Sequence, residues 1–195
     1  MILHNLRVIG DLADNVLNEV TQTKKLCHEC SREYIDIALW LFPIYINDTD
    51  MCEEIFAFFH IVLDVLKSQM GADIIEATIS TFINIFNKDQ LTQVIINEGS
   101  AGIRVVEKFL GILQFVVKES DISFRKFIDS TLNLCLEYIY PLVANRPTSD
   151  VKGPLFTVLS NVLLYNWRHF FKSSVMRSLI GAPSPMPNND QVLHR

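Results

Sequence analysis

The sequence lacks the basic character that a general nucleic-acid binder needs. Its 17 lysines and arginines are outnumbered by 22 aspartates and glutamates, which gives a formal net charge of −5 at pH 7. A protein that neutralises phosphates along a nucleic acid requires a basic face. We therefore expect no nucleic acid among the partners, although the total charge is compatible with a local basic patch.

Long apolar runs and a secretory signal are also missing. The longest uncharged apolar run, residues 37–46, is too short to span a bilayer and contains Pro43. The residues that follow Met1 lack the basic region and the apolar core of a signal peptide. The sequence therefore predicts a soluble intracellular protein with no membrane insertion.

Cysteine is scarce, with four residues in the chain. A structural zinc site needs four ligands, and its usual signature is two Cys pairs. This chain has one such pair, Cys27 and Cys30, and the other cysteines, Cys52 and Cys135, lie in segments with helical periodicity. The spacing also fits a redox dithiol, but no βαβ pattern surrounds it. We expect no metal and no cofactor, and we expect Cys27 and Cys30 at a helix end or in a loop.

The usual signs of an enzyme are absent as well. No paired acid and base, nucleophile set or complete metal set is recognisable. His60 lies among Phe58, Phe59 and Ile61, a setting that favours a partly buried helix residue over a general base. The sequence therefore predicts no catalytic residues.

What the sequence does contain is a series of segments with apolar residues at helical spacing. They cover approximately residues 5–25, 33–42, 51–69, 73–86, 100–118, 122–140 and 150–171, and a further short helix is expected at 89–96. No strand alternation flanked by hairpin turns competes with this pattern.

Local signals predict where several of these helices begin and end. Asp50 with Glu53 forms a capping-box-like start, and Gly71 is a natural stop. Residues 33–42 are apolar on nearly all sides, which predicts a buried helix that Pro43 ends or kinks. Pro141 is expected to stop the helix at 122–140.

The spacing of the helices predicts a repeat architecture. First members of successive pairs begin near Glu33, Asp73 and Ile122, roughly 40 to 50 residues apart, which is the period of HEAT repeats. We therefore predict an all-α fold, an α-solenoid of about three HEAT-like pairs in an ARM-repeat-like right-handed superhelix over residues 1–180. Residues 181–195 are rich in proline and are expected to form a disordered tail.

The last helix carries the candidate binding residues. Asp150 can cap it and Pro154 suits its first turn. Trp167, Phe170 and Phe171 are more than one helix face can bury, so they either pack on a following repeat or form an exposed patch. There are two groups of basic residues, Arg125 with Lys126 and the set Arg168, Lys172 and Arg177, and each either forms a solvated face or contacts an acidic partner surface.

The end of this helix also carries a family resemblance. The run Asn-Trp-Arg-His-Phe-Phe-Lys-Ser-Ser at 166–174, followed by Val175, resembles the C-terminal half of exportins in the importin-β (karyopherin) superfamily. Within that family the resemblance implies actin–profilin as the cargo. The resemblance covers about 34–175 and is specific at 150–152 and 166–174. In the family the solenoid continues for several more repeats, so we expect a fragment or a truncated isoform.

The resemblance implies a function in nuclear export. Such a receptor binds protein cargo together with the GTP-bound form of Ran, passes the nucleoporins of the pore, and shuttles between nucleus and cytoplasm. The main Ran-binding region of the family lies in N-terminal repeats outside this chain, so no Ran contact is assigned to a residue here. The expected partner-binding residues are Trp167, Arg168, Phe170, Phe171 and Lys172. The alternative is a helical-repeat adaptor without transport activity.

Overall fold

The computed structural model describes residues 2–86, 89–90, 99–119, 124–144 and 151–172, and every regular element in them is helical. The helices are α1 (Ile2–Asn15), α2 (Thr21–Leu41), α3 (Thr49–Met70), α4 (Ala72–Ile85), α5 (Gly99–Lys118), α6 (Lys126–Asn133), α7 (Tyr140–Ala144) and α8 (Lys152–Lys172), with a π-helix, Leu134–Ile139, between α6 and α7. The all-α prediction is confirmed.

The helices lie in two layers. In one layer α1, α3, α5 and α8 pack side by side in chain order, and α2, α4 and α6 lie against them in the other. Contacts between neighbours are far more extensive in the first layer than in the second. α2 packs against α3, α6 packs against α8, and α4 contacts both α3 and α6, so the helices form the two-layered stack that the predicted HEAT-like solenoid requires. The handedness of the superhelix stays a prediction.

The core between the layers is dense in phenylalanine. Phe56 on α3 lies with its ring centroid 5.0–5.4 Å from those of Phe42, Phe82, Phe86 and Phe109. All five side chains are fully buried, and most of the ring pairs are edge-to-face, the arrangement that aromatic quadrupoles prefer. Because these rings come from α3, α4, α5 and the residues that follow α2 and α4, the cluster joins the two layers.

The boundaries of α3 follow from one capping residue and one glycine. The backbone N–H of Met51 donates to Asp48 Oδ1 at 3.0 Å, and Asp48 has the extended backbone of an N-cap residue. The predicted start at Asp50 is therefore wrong by two residues. Gly71 ends the helix with φ 81°, a conformation that favours glycine, as predicted.

The predicted boundary between the first two helices is wrong. Residues 21–25 belong to α2, because the chain turns after Asn15 through backbone bonds from Val16 to Ala13 and from Glu19 to Val16. Val16 is buried in a small cluster between α1, α2 and α3. The burial of Val16 fixes the position of this turn. The turn could not be predicted from the sequence because residues 16–20 contain no glycine or proline.

The composition of residues 33–42 predicted a helix buried on all sides. In the structure, α2 is buried on one side only. Ile35 and Ala38 face the core, whereas 43% of Ile37 and 67% of Trp40 is exposed. The second layer is loosely packed, and none of the described helices covers that side of α2. Pro43 follows the end of the helix, as predicted.

Pro141 does not stop the helix that was predicted at 122–140. The chain stays helical from Lys126 through the π-helix to Ala144. In the π-helix the hydrogen bonds shift by one residue, and the N–H of Tyr140 donates to Cys135 O. Because the regular ladder is already interrupted there, the missing N–H of Pro141 disrupts little.

Some predictions fall outside the described residues. They are the cap at Asp150, the Pro-rich tail at 181–195 and most of the short helix at 89–96. Within the described ranges, none of the helices combines the length and apolarity needed to cross a bilayer.

Candidate partner-binding site at the end of the last helix

α8 bends near its end at Asn166. The backbone there has φ −136° and ψ 34°, which is not helical, and the side-chain Nδ2 donates to Val117 O at 2.8 Å. Val117 lies in the last turn of α5, where backbone carbonyls have no partner within their own helix. The Asn166 amide therefore satisfies one of those carbonyls and fixes the kink to the end of α5.

A cleft opens beside the kink. It is lined by Arg125, Tyr165, Asn166, Trp167, Arg168, His169 and Lys172. Arg125 comes from the residue before α6, and the other lining residues come from the last two turns of α8. Three of the five predicted partner-binding residues, Trp167, Arg168 and Lys172, are thus brought together, while Phe170 and Phe171 do not line the cleft.

The aromatic residues at this end differ in exposure. Trp167 is 53% and Phe171 is 54% exposed, and Phe170 is half-buried against the core with its ring edge-on to Phe171 at 5.6 Å. The expected exposed patch is present at Trp167 and Phe171, and Phe170 instead anchors the helix end.

The charge in the cleft is of one sign. Arg125, Arg168 and Lys172 are exposed, and among the described residues none of the three takes part in an ion pair. No carboxylate lines the cleft in that part of the chain. The Arg168 guanidinium lies 5.2 Å from the centre of the Trp167 ring, within the range of a cation–π contact.

Comparison with known proteins identifies the family context of this fold. Exportin-6-A of Xenopus laevis is 43% identical over 195 residues, which is 99% of this chain and 17% of that protein. Exportin-6 of Homo sapiens is 42% identical over 180 residues, 92% of this chain and 16% of that protein. The chain is homologous to a segment of exportin-6. The resemblance that the sequence suggested is confirmed.

The homology to exportin-6 extends beyond animals. Exportin-6 of Dictyostelium discoideum is 31% identical over 189 residues, 97% of this chain and 18% of that protein. The chain thus spans about one sixth of the length of the curated relatives it matches. No protein-family model and no solved structure matches it.

The Cys pair of this exportin-6 homologue lies inside α2, not at a helix end or in a loop. Both thiols are free; Cys27 is buried with Sγ 4.0 Å from Ser31 Oγ, and Cys30 is exposed. Within the described ranges, no group of three or more His, Cys, Asp and Glu side chains gathers where a metal could be held. In the described part of the chain, the Cys27–Cys30 pair therefore gains no further ligand.

His60 lies at the seam between α3 and α5. Gly111 allows the close approach there, because a Cβ at that position would lie 2.9 Å from His60 Cδ2. Burial lowers the pKa of His60; Asp64 opposes that effect, and Lys108 and Lys118 add to it. The ring lines a groove on the helix surface; His60 is a helix residue, as expected, but the residue as a whole is exposed and not partly buried.

Sequence reasoning missed three residues of the cleft. Tyr165 and His169 carried no distinguishing signal, and Asn166 lies within the segment 150–171, which was predicted as one helix without a break. An asparagine late in a helix could have indicated the kink, because its amide competes for backbone hydrogen bonds.

Proposed function

We propose that this chain forms part of the solenoid of a nuclear export receptor. The observation that carries the proposal is the homology to exportin-6, 31–43% identity over nearly the whole chain, in proteins as distant as those of Xenopus laevis and Dictyostelium discoideum. By this proposal the protein shuttles between nucleus and cytoplasm and passes the nucleoporins of the pore.

The work of such a chain is binding and not chemistry. Its side-by-side helices offer a continuous wall, and stacked repeats can adjust their curvature to a bound protein. We assign to the wall the role of holding protein cargo, with actin–profilin as the cargo that the resemblance implies. Among the described residues, four ion pairs connect neighbouring parts of the stack: Arg7–Glu54, Arg104–Glu53, Lys67–Glu119 and Lys126–Glu76.

Dependence on Ran is the second part of the proposal. An export receptor binds its cargo together with GTP-bound Ran, and the family's main Ran contacts lie in repeats that precede this segment. The chain therefore contributes to a cargo complex whose assembly Ran controls from elsewhere in the receptor.

A chimaera tests cargo binding and Ran dependence together. The matching segment of Xenopus laevis exportin-6-A is replaced by this chain, and actin–profilin is captured with Ran loaded with GTP or with GDP. We expect retention with GTP-loaded Ran and at least a tenfold loss with GDP-loaded Ran, about 1.4 kcal/mol or more of coupling. Equal retention in both states indicates the adaptor function instead, and no retention by a folded chimaera rejects this cargo.

A further inference from the structure

We propose that the cleft at the end of α8 binds an acidic peptide segment of a partner protein. The exposed residues that line it are Arg125, Tyr165, Trp167, Arg168 and Lys172. This inference rests on the proposed function in one respect, because that function makes a protein the expected class of partner.

Charge complementarity is the first argument. Three exposed cations converge on the cleft from two parts of the fold, in a chain whose net charge is −5. Arg168 and Lys172 are four residues apart on one helical turn, and Arg125 faces them from the start of α6. Two arginines suit carboxylates especially well, because a guanidinium donates two parallel hydrogen bonds to one carboxylate.

The aromatic residues are the second argument. Trp167 and Tyr165 are 53% and 59% exposed beside these cations. Stacking of Arg168 on Trp167 limits the conformations of the guanidinium, so less entropy is lost when a carboxylate binds. Aromatic rings next to arginine are the combination that dominates binding energy in protein interfaces.

The position of the cleft separates it from the faces that suit repeat stacking. Phe156, Leu163 and Leu164 precede the kink and are exposed apolar residues of the kind a neighbouring helix covers. A neutral helix packed over Arg125, Arg168 and Lys172 would bury three charges without partners, which is costly. A segment that brings its own carboxylates avoids that cost.

Fluorescence anisotropy of a labelled peptide tests the proposal directly. The probe is a short peptide of alternating glutamate and glycine, and its matched control has glutamine in place of glutamate. We expect the chain to bind the glutamate peptide at least about tenfold more tightly than the glutamine peptide, with affinity that falls as salt is raised.

Charge-reversal variants locate the binding. Arg168→Glu and Lys172→Glu should each lower the affinity for the glutamate peptide by about tenfold or more. The matched control is Arg32→Glu, an exposed arginine on α2 far along the chain from the cleft, which should change the affinity less than about twofold. Circular dichroism of each variant verifies that its helices are intact.

Three results overturn the proposal. One is equal affinity for the two peptides, and another is equal loss in Arg168→Glu and Arg32→Glu. The third is tighter binding, through the same two residues, of a single-stranded RNA or of vesicles containing phosphatidylserine, since the cleft would then serve a nucleic acid or a membrane. None of these assays contains Ran or actin, so failure here is distinguishable from failure of the export proposal.

Discussion

At the scale of single residues, the contribution of an apolar side chain depends on whether another helix covers it. Phe56 and Phe156 are chemically identical, yet Phe56 is fully buried among four other rings and Phe156 is 54% exposed on α8. Removal of a buried ring leaves a cavity in addition to the lost transfer free energy, whereas removal of an exposed ring does not.

The first prediction compares these two phenylalanines. Phe56→Ala should lower the free energy of unfolding by about 3–5 kcal/mol. Phe156→Ala should change it by less than about 1 kcal/mol. Urea denaturation followed by circular dichroism measures both. Similar losses in the two variants would mean that Phe56 is not at the centre of the core.

A second prediction concerns the thiols. Burial raises the pKa of Cys52 and of Cys135 to about 12, so at pH 8 both are protonated and unreactive. Cys30 is exposed, and we expect it to react with a thiol reagent in the folded protein while Cys52 and Cys135 react only on unfolding.

Cys30→Ser is the matched control for that experiment and should remove the fast reaction. Added zinc should leave the rate at Cys30 unchanged, since no third ligand lies near it in the described part of the chain. If zinc instead protected Cys27 and Cys30 from the thiol reagent, the pair would bind metal, as the CxxC spacing allows.

At the scale of the helix, some helix boundaries are set by local sequence signals and others by tertiary contacts. The extent of α5 and the end of α3 at Gly71 could be predicted, because an apolar stripe and a glycine can be recognised without knowledge of the fold. The turn after Asn15, the passage through Pro141 and the kink at Asn166 could not. Each depends either on a partner elsewhere in the chain or on a shifted hydrogen-bond ladder. Asn166, for example, depends on Val117 O as its hydrogen-bond acceptor.

The same division applies to the candidate site. The basic and aromatic residues at the end of α8 were recognisable from composition. Their arrangement with Arg125 was not, because Arg125 precedes them by some forty residues and only the stacking of α6 against α8 brings it near.

The third prediction concerns the seam between α3 and α5. Gly111→Ala raises helix propensity by about 1 kcal/mol, but its Cβ displaces the His60 ring. We therefore expect Gly111→Ala to stabilise the protein more in a His60→Ala background than in the wild type. Thermal unfolding of the two single variants and the double variant measures the difference. Equal effects in the two backgrounds would show that the two side chains do not meet.

The fourth prediction concerns the exposed end of α8. In a Trp40→Phe variant all tryptophan fluorescence comes from Trp167, which is 53% exposed. We expect red-shifted emission that acrylamide quenches readily. Blue-shifted and protected emission would show that this end is covered, by folding back of another segment or by self-association.

At the scale of the whole molecule, exposure of large apolar side chains is uneven. Among the described residues such side chains occur in the region of α1 and α2 and on α7 and α8, and not on α3, α4, α5 or α6. The helices at the centre of the stack are covered on both sides, and those at its two ends are not. This distribution is typical of helical repeats that have neighbours on either side, and the exportin-6 relatives are about six times as long as this chain.

The central claim is that the chain can serve as the corresponding segment of an export receptor. The most direct test is the nuclear-to-cytoplasmic ratio of actin in cells that lack their own exportin-6 and express the chimaera. We predict that the chimaera gives the same nuclear-to-cytoplasmic ratio of actin as intact exportin-6-A, and that a version with the segment deleted gives a higher ratio. A folded, nuclear chimaera that leaves actin as high as the deletion does would contradict the account.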